Sequence, residues 1–141
     1  MRLWHTLLLP YLPKSQLLAQ KRECDVIWKD IGRGVKTNHI LINYVWKLDK
    51  PELEMSIYYA FLKKEFDKRG FKFNPSKYAK VMEYNSSLRN PFGCYHNNEY
   101  LKQCFYNLQE KYDRGQKDFD DETYDRLEYF VHWWLGINGE E

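Results

Sequence analysis

Apolar positions along this chain recur with helical spacing far more often than with the alternation of a strand. Leu17, Leu18, Ala19, Cys24, Ile27 and Ile31 mark the inward side of a helix expected from about Lys14 to Asp30, entered through Pro13 and stopped by Gly32. Leu53, Ile57, Ala60 and Phe61 mark a second, from Pro51 to Arg69. There the proline suits a first turn and Gly70 suits the left-handed residue after the last. Asn74-Pro75 is read as the start of a short helix carrying Tyr78, Val81 and Met82. Another begins after Asn97 or Asn98, with Leu101, Cys104, Phe105, Leu108 and Tyr112 on one stripe and Gly115 at its end. The last starts at Asp120, its first turn acidic as the helix dipole favours. Tyr124, Leu127, Val131 and Trp134 point inward, Gly136 stops it, and Phe119 with Tyr124 fits a hydrophobic staple around its start.

One segment resists this pattern. Ile40-Leu41-Ile42-Asn43-Tyr44-Val45-Trp46 is rich in β-branched and aromatic residues, but no second strand offers it a partner. It is read as coil or a single turn. The expected fold is therefore all-α: a compact single-domain bundle of about five helices with long loops, spanning residues 1–141. That length is enough to bury a core without disulfide or metal staples.

Composition and charge add further constraints. Three cysteines, Cys24, Cys94 and Cys104, form no paired set, which points to a reduced, cytoplasmic protein. No apolar run approaches the roughly 20 residues of a membrane span. The opening Leu7-Leu8-Leu9 is too short for a signal peptide and is broken by Pro10 and Pro13. Charge is divided unevenly. Residues 1–90 carry 17 Lys and Arg against 9 Asp and Glu, whereas residues 91–141 carry 5 against 11. A basic majority with an acidic tail fits a nucleic-acid face with an acidic back, or two regions that pair with each other.

The candidate chemistry is concentrated near the start. Arg22 and Glu23 are adjacent, so on a helix they point about 100° apart and can edge one cleft; a solvated helix face is the simpler alternative. Lys29, Arg33 and Lys36, with Gly32 and Gly34 between them, form a basic loop suited to phosphate contacts or simply to solvent. His5 and His39 could bind phosphate or move a proton, though a lone histidine is more often structural. Trp4 serves equally as a core anchor or a base-stacking residue. Cys94 and His96 come near metal-ligand spacing, but no second pair completes a set, so no metal is expected.

Read from Met1, the run Met1-Arg2-Leu3-Trp4-His5 followed by Leu17-Leu18-Ala19-Gln20-Lys21-Arg22-Glu23 resembles the start of the pyrimidine-dimer DNA glycosylases of the phage endonuclease V type and their bacterial relatives. Weaker likenesses occur at Lys68-Arg69-Gly70-Phe71 and Leu108-Gln109-Glu110-Lys111. The resemblance implies a DNA-repair glycosylase with abasic-site lyase activity, acting on damaged or abasic double-stranded DNA without metal or cofactor. It implies that the α-amine of Met1 attacks sugar C1′ of a flipped-out nucleotide, that Glu23 stabilises charge and moves protons, and that Arg22 clamps the substrate. Arg2, His5, Lys29, Arg33, Lys36 and Lys111 are the supporting contacts. Arg2 is too large to favour removal of Met1, so Met1 itself is expected to carry the amine, within about 8 Å of the Glu23 carboxylate. In the phage enzyme, basic residues stand at the positions of Gln16, Val26 and Asn107. Two other readings stay open: a nucleic-acid-binding protein on the same scaffold without the chemistry, and a helical partner-binding or small-molecule module in which Arg22 and Glu23 form a structural ion pair.

Overall fold

The computed structural model describes residues 1–137, which form an all-helical domain with no strand among them. The domain has four α-helices, α1 (Lys14–Gly32), α2 (Pro51–Arg69), α3 (Asn98–Asp113) and α4 (Asp121–Ile137), with short 3-10 segments before α1 at Thr6–Tyr11, between α1 and α2 at Asn43–Lys47, and before α3 at Gly93–Tyr95. The caps follow from the sequence. Pro51 opens α2 and Gly70 closes it at φ 76°. The Asn97 side chain accepts from Tyr100 N at the start of α3, and Asp120 accepts from Thr123 N at the start of α4. Phe119 meets Tyr124 edge to face across that start.

The centre of the molecule is α2, together with the opening segment. Every residue from Glu54 to Ala60 is buried, so α2 is covered on all sides; of the apolar positions read from its spacing, Ile57 and Ala60 are buried and Leu53 is exposed. The 3-10 helix at Thr6–Tyr11 packs on α2, α3 and α4. It brings Leu3, Trp4, Leu8, Leu9 and Leu12 into the core, so the apolar start of the chain is a structural element. Arg69 secures it, donating to the Leu9 and Pro10 carbonyls at 3.1 and 3.2 Å while its Nε holds Glu65 at 2.7 Å. The Lys68–Phe71 likeness thus marks a fold contact.

The helix expected at Asn74 does not form. Lys21 Nζ donates to the Asn74 carbonyl and Ser76 N donates to the Tyr59 hydroxyl, so the backbone polar groups of this segment are met by side chains. The segment crosses the end of α1, where the Tyr78 ring lies so close that a Cβ on Gly32 would sit 2.4 Å from Tyr78 Cδ1. Gly32 ends α1 by admitting that ring; the left-handed residue is Gly34, at φ 74°. At the far end of this loop, Arg89 forms a two-pronged ion pair with Glu54 at 2.9 and 2.6 Å, and Phe92 N donates to the same carboxylate. The Arg89 hydrogen bonds, helped by that from Phe92 N and opposed by burial, hold Glu54 below the usual carboxylate range. The expected stop at Gly136 is also corrected, since α4 runs on to Ile137.

Candidate active site

An extended chain end normally frays, because its polar groups have only water to bond. Here they are taken up one after another by side chains from three helices. Arg2 N donates to Glu23 Oε1 at 3.4 Å. The fully buried side chain of Gln20 donates to the Arg2 carbonyl at 2.8 Å and accepts from Trp4 N at 2.7 Å, bridging both like a neighbouring strand. Because Trp4 N can only donate, the amide oxygen of Gln20 must face it, and the amide nitrogen is then free for Arg2 and for Glu23 Oε1 at 3.2 Å. From α2, the Tyr58 hydroxyl lies 2.7 Å from the Trp4 carbonyl and 2.6 Å from Gln20 Oε1. From α3, the Tyr100 hydroxyl donates to the Leu3 carbonyl at 2.7 Å.

This strapping fixes the amine. Met1 N lies 3.3 Å from Nε2 of His39, in the loop after α1. One residue of backbone spans at most about 3.6 Å, so the contact of Arg2 N with Glu23 places Met1 N within roughly 7 Å of that carboxylate. Glu23 is half-buried, and Oε2 makes no hydrogen bond among the described residues, which leaves one carboxylate oxygen free toward solvent or substrate. Beside the amine, the loop opens a cleft of about 630 Å³ lined by Lys36, Asn38, His39, Asn43, Trp46 and Lys47. His39, Trp46 and Lys47 therefore join a site for which Met1, Glu23 and Lys36 were expected.

The basic residues of α1 form a second feature. Positions 22 and 29 of α1 differ by seven residues, so they lie within about 20° of one another around the axis, and Arg33 caps the end of the same helix. Arg22, Lys29 and Arg33 are all exposed, and none forms an ion pair among the described residues. Arg22 and Glu23 are not paired either, which removes the structural ion-pair reading.

Other expected contacts sit elsewhere. His5 is buried, its Nδ1 accepting from Leu7 N and its Nε2 donating to the His96 carbonyl. Burial pushes its imidazole down to about 4, against a smaller opposing effect of the His96 bond, so it is a neutral cap of the opening 3-10 helix. This corrects its reading as a substrate contact. The Arg2 guanidinium turns over the Trp4 ring at 5.7 Å and reaches toward the Cys104 thiol. Its side chain packs inward while its backbone serves the site. Trp4, 5% exposed, is a core anchor. Lys111 lies in the last turn of α3, about 16 Å along the helix from Tyr100, and no described contact joins it to Met1 or Glu23. The acidic segment is separate as well. Asp118 accepts from Ser15 N at 2.7 Å at the start of α1, and no described contact brings Asp121, Glu122 or Asp125 to the cleft.

The residues that build this arrangement, apart from Tyr100, all fall within the part of the chain that matches a known family. A family model described as pyrimidine dimer DNA glycosylase matches residues 1–79. The chain belongs to that family. Neither curated proteins nor solved structures yield a match. The family match spans the strapped terminus, α1 with its basic stripe, the cleft loop and all of α2, whereas α3, α4 and Lys111 lie beyond it. Among the described residues no helix is long and apolar enough to cross a membrane. No group of three or more His, Cys, Asp or Glu is placed to hold a metal ion.

Proposed function

We propose that this protein is a DNA glycosylase and abasic-site lyase that uses the Met1 α-amine as its nucleophile, on damaged or abasic double-stranded DNA. The observation that carries the reading is the strapped terminus: its amine sits within roughly 7 Å of the Glu23 carboxylate, at the edge of a basic cleft. An α-amine suits the task because at pH 7 about 14% of such groups are unprotonated, against about 0.04% of ordinary lysines. Its lone pair forms a bond to C1′ as the glycosidic bond breaks, and the base leaves with that electron pair and takes up a proton. The new ammonium sheds a proton, the C1′–O4′ bond opens, O4′ is protonated, and an imine remains. Loss of a C2′ proton then expels the 3′ phosphate by β-elimination. Glu23 stabilises the cationic sugar and carries protons. The stripe of Arg22, Lys29 and Arg33, with Lys36 and Lys47 at the cleft, meets the phosphates. A nucleotide turned out of the duplex gives the amine access to C1′.

Borohydride reduction in the presence of a duplex with an abasic site tests this directly. A stable protein–DNA adduct that peptide mapping assigns to the Met1 nitrogen is the expected product. An adduct on a lysine would replace the nucleophile. Salt-sensitive DNA binding without adduct or strand cleavage would leave a binding protein on the family scaffold.

A further inference from the structure

His39 lies 3.3 Å from the proposed nucleophile and has no part in the chemistry above. Its other ring nitrogen is engaged too, since Leu41 N donates to Nδ1 at 3.2 Å. A backbone N–H can only donate, so Nδ1 carries no proton, and in the neutral imidazole the proton sits on Nε2. Nε2–H then faces the Met1 nitrogen. Two donors cannot share a hydrogen bond, so the contact is satisfied when the amine accepts through its lone pair, as a neutral –NH2 group.

The geometry points to His39 as the positioning residue of the N-terminal nucleophile, holding the resting amine as an unprotonated acceptor at the mouth of the cleft. This rests on the proposed use of Met1 as nucleophile. The hydrogen bond removes the rotational freedom of the one residue that the Gln20, Tyr58 and Tyr100 contacts leave untied. Entry of C1′ then requires only that the lone pair turn from Nε2 to the sugar. The surrounding charges divide. Lys36 and Lys47 in the cleft loop and the half-buried Arg2 oppose an ammonium here, whereas Glu23 on α1 favours one. His39 is the one of these groups in direct contact with the amine nitrogen. The same tautomer excludes His39 as the base that takes the amine proton, since its accepting nitrogen is already bonded to Leu41.

The test uses the full chain, with Met1 and His39 labelled by 15N, together with the variants H39F and H39Q. At pH 7 the wild type should show His39 as the Nε2–H tautomer and Met1 nitrogen at a free-amine position. H39F should return Met1 to an ammonium position and lower the rate of borohydride trapping about tenfold at saturating abasic duplex, where the rate does not depend on affinity. Gln places an N–H donor where Nε2 stood, so H39Q should restore both signals. A wild-type Met1 ammonium facing an Nδ1–H ring overturns the assignment, and so does an H39F protein unchanged in both measurements. An H39Q protein that behaves as H39F also overturns it, because the donor would not then be what matters. If the tautomer and free amine are present but no adduct forms at Met1, the pair stands and the lyase reading falls.

Discussion

Gln20 holds Arg2: its side-chain amide donates to the Arg2 carbonyl at 2.8 Å, while the oxygen of the same amide takes Trp4 N at 2.7 Å. One buried side chain thus ties two backbone groups on one edge of the opening segment to α1, one turn before Glu23. Gln20→Leu keeps the volume but leaves two buried backbone groups unpaired. Chemical denaturation should show a loss of about 2–4 kcal/mol, from the cost of each unsatisfied group. Trapping at Met1 should fall further than global unfolding explains, because a displacement of about 1 Å spoils a reacting geometry. A Gln20→Leu protein as active as wild type would show that the terminus is held by other means.

Glu23 and Arg22 should separate kinetically. Glu23→Gln keeps the hydrogen bonds' reach but removes the charge facing a cationic sugar, and turnover should drop at least about a hundredfold, roughly 2.7 kcal/mol of barrier. Arg22→Gln should weaken DNA binding more than turnover, since a clamp acts on ground and transition states alike. Single-turnover rates and binding curves on the same abasic duplex distinguish the two.

The basic stripe predicts a salt signature. Each of Arg22, Lys29, Arg33 and Lys36 that contacts a phosphate should, when replaced by Gln, reduce the slope of log affinity against log salt by about 0.9. Lys63→Gln, whose cation is already paired with Asp67 at 2.8 Å, serves as the control and should leave the slope unchanged. Equal slopes for all five variants would remove this face from the DNA interface.

His5 predicts the acid limb of stability. Burial depresses its imidazole to about 4 in the folded chain, against an ordinary value near 6.5 when unfolded. The unfolded state therefore takes up a proton first as pH falls. Stability fully present above pH 6.5 is lost between there and about 4, up to roughly 3 kcal/mol from this residue. His96, also lowered chiefly by burial, adds in the same direction. His5→Asn keeps an acceptor for Leu7 N without a titrating ring. Its stability, lower at pH 7, should decline less steeply than that of the wild type in urea unfolding at successive pH values.

Gly32 predicts a clash that a second substitution relieves. A methyl group there would meet the Tyr78 ring at 2.4 Å, so Gly32→Ala should cost about 1–3 kcal/mol despite the better helix propensity of alanine. In a Tyr78→Ala background the same change should become neutral or stabilising. Urea midpoints of the four proteins in this cycle give the coupling.

The helices were legible where local chemistry decides them. Pro51 and Gly70 fix the ends of α2, Asn97 and Asp120 cap α3 and α4, and the stripe from Leu101 to Leu108 is buried as its spacing requires. The segment after Asn74 departs from the helix its spacing suggests because its backbone partners, Lys21 and Tyr59, lie 53 and 17 residues away. No local pattern could show them. The same holds for His5, which the sequence left open between a phosphate contact and a structural role, and which burial makes a neutral cap.

Residue types and spacing along the chain were enough to establish an all-helical fold, the placing of Arg22 and Glu23 on one helix, and the likeness of the opening segment to a glycosylase family, because helix periodicity and caps act within a few residues. The tertiary structure alone decided which of the basic and titratable residues meet. It brought His39, 38 residues from Met1, against the amine, used the buried Gln20 to align the terminus, and turned the Arg2 side chain inward. Those contacts depend on where the loop after α1 and the central α2 pack, and packing is a property of the whole chain, set by burial that no short stretch of sequence contains.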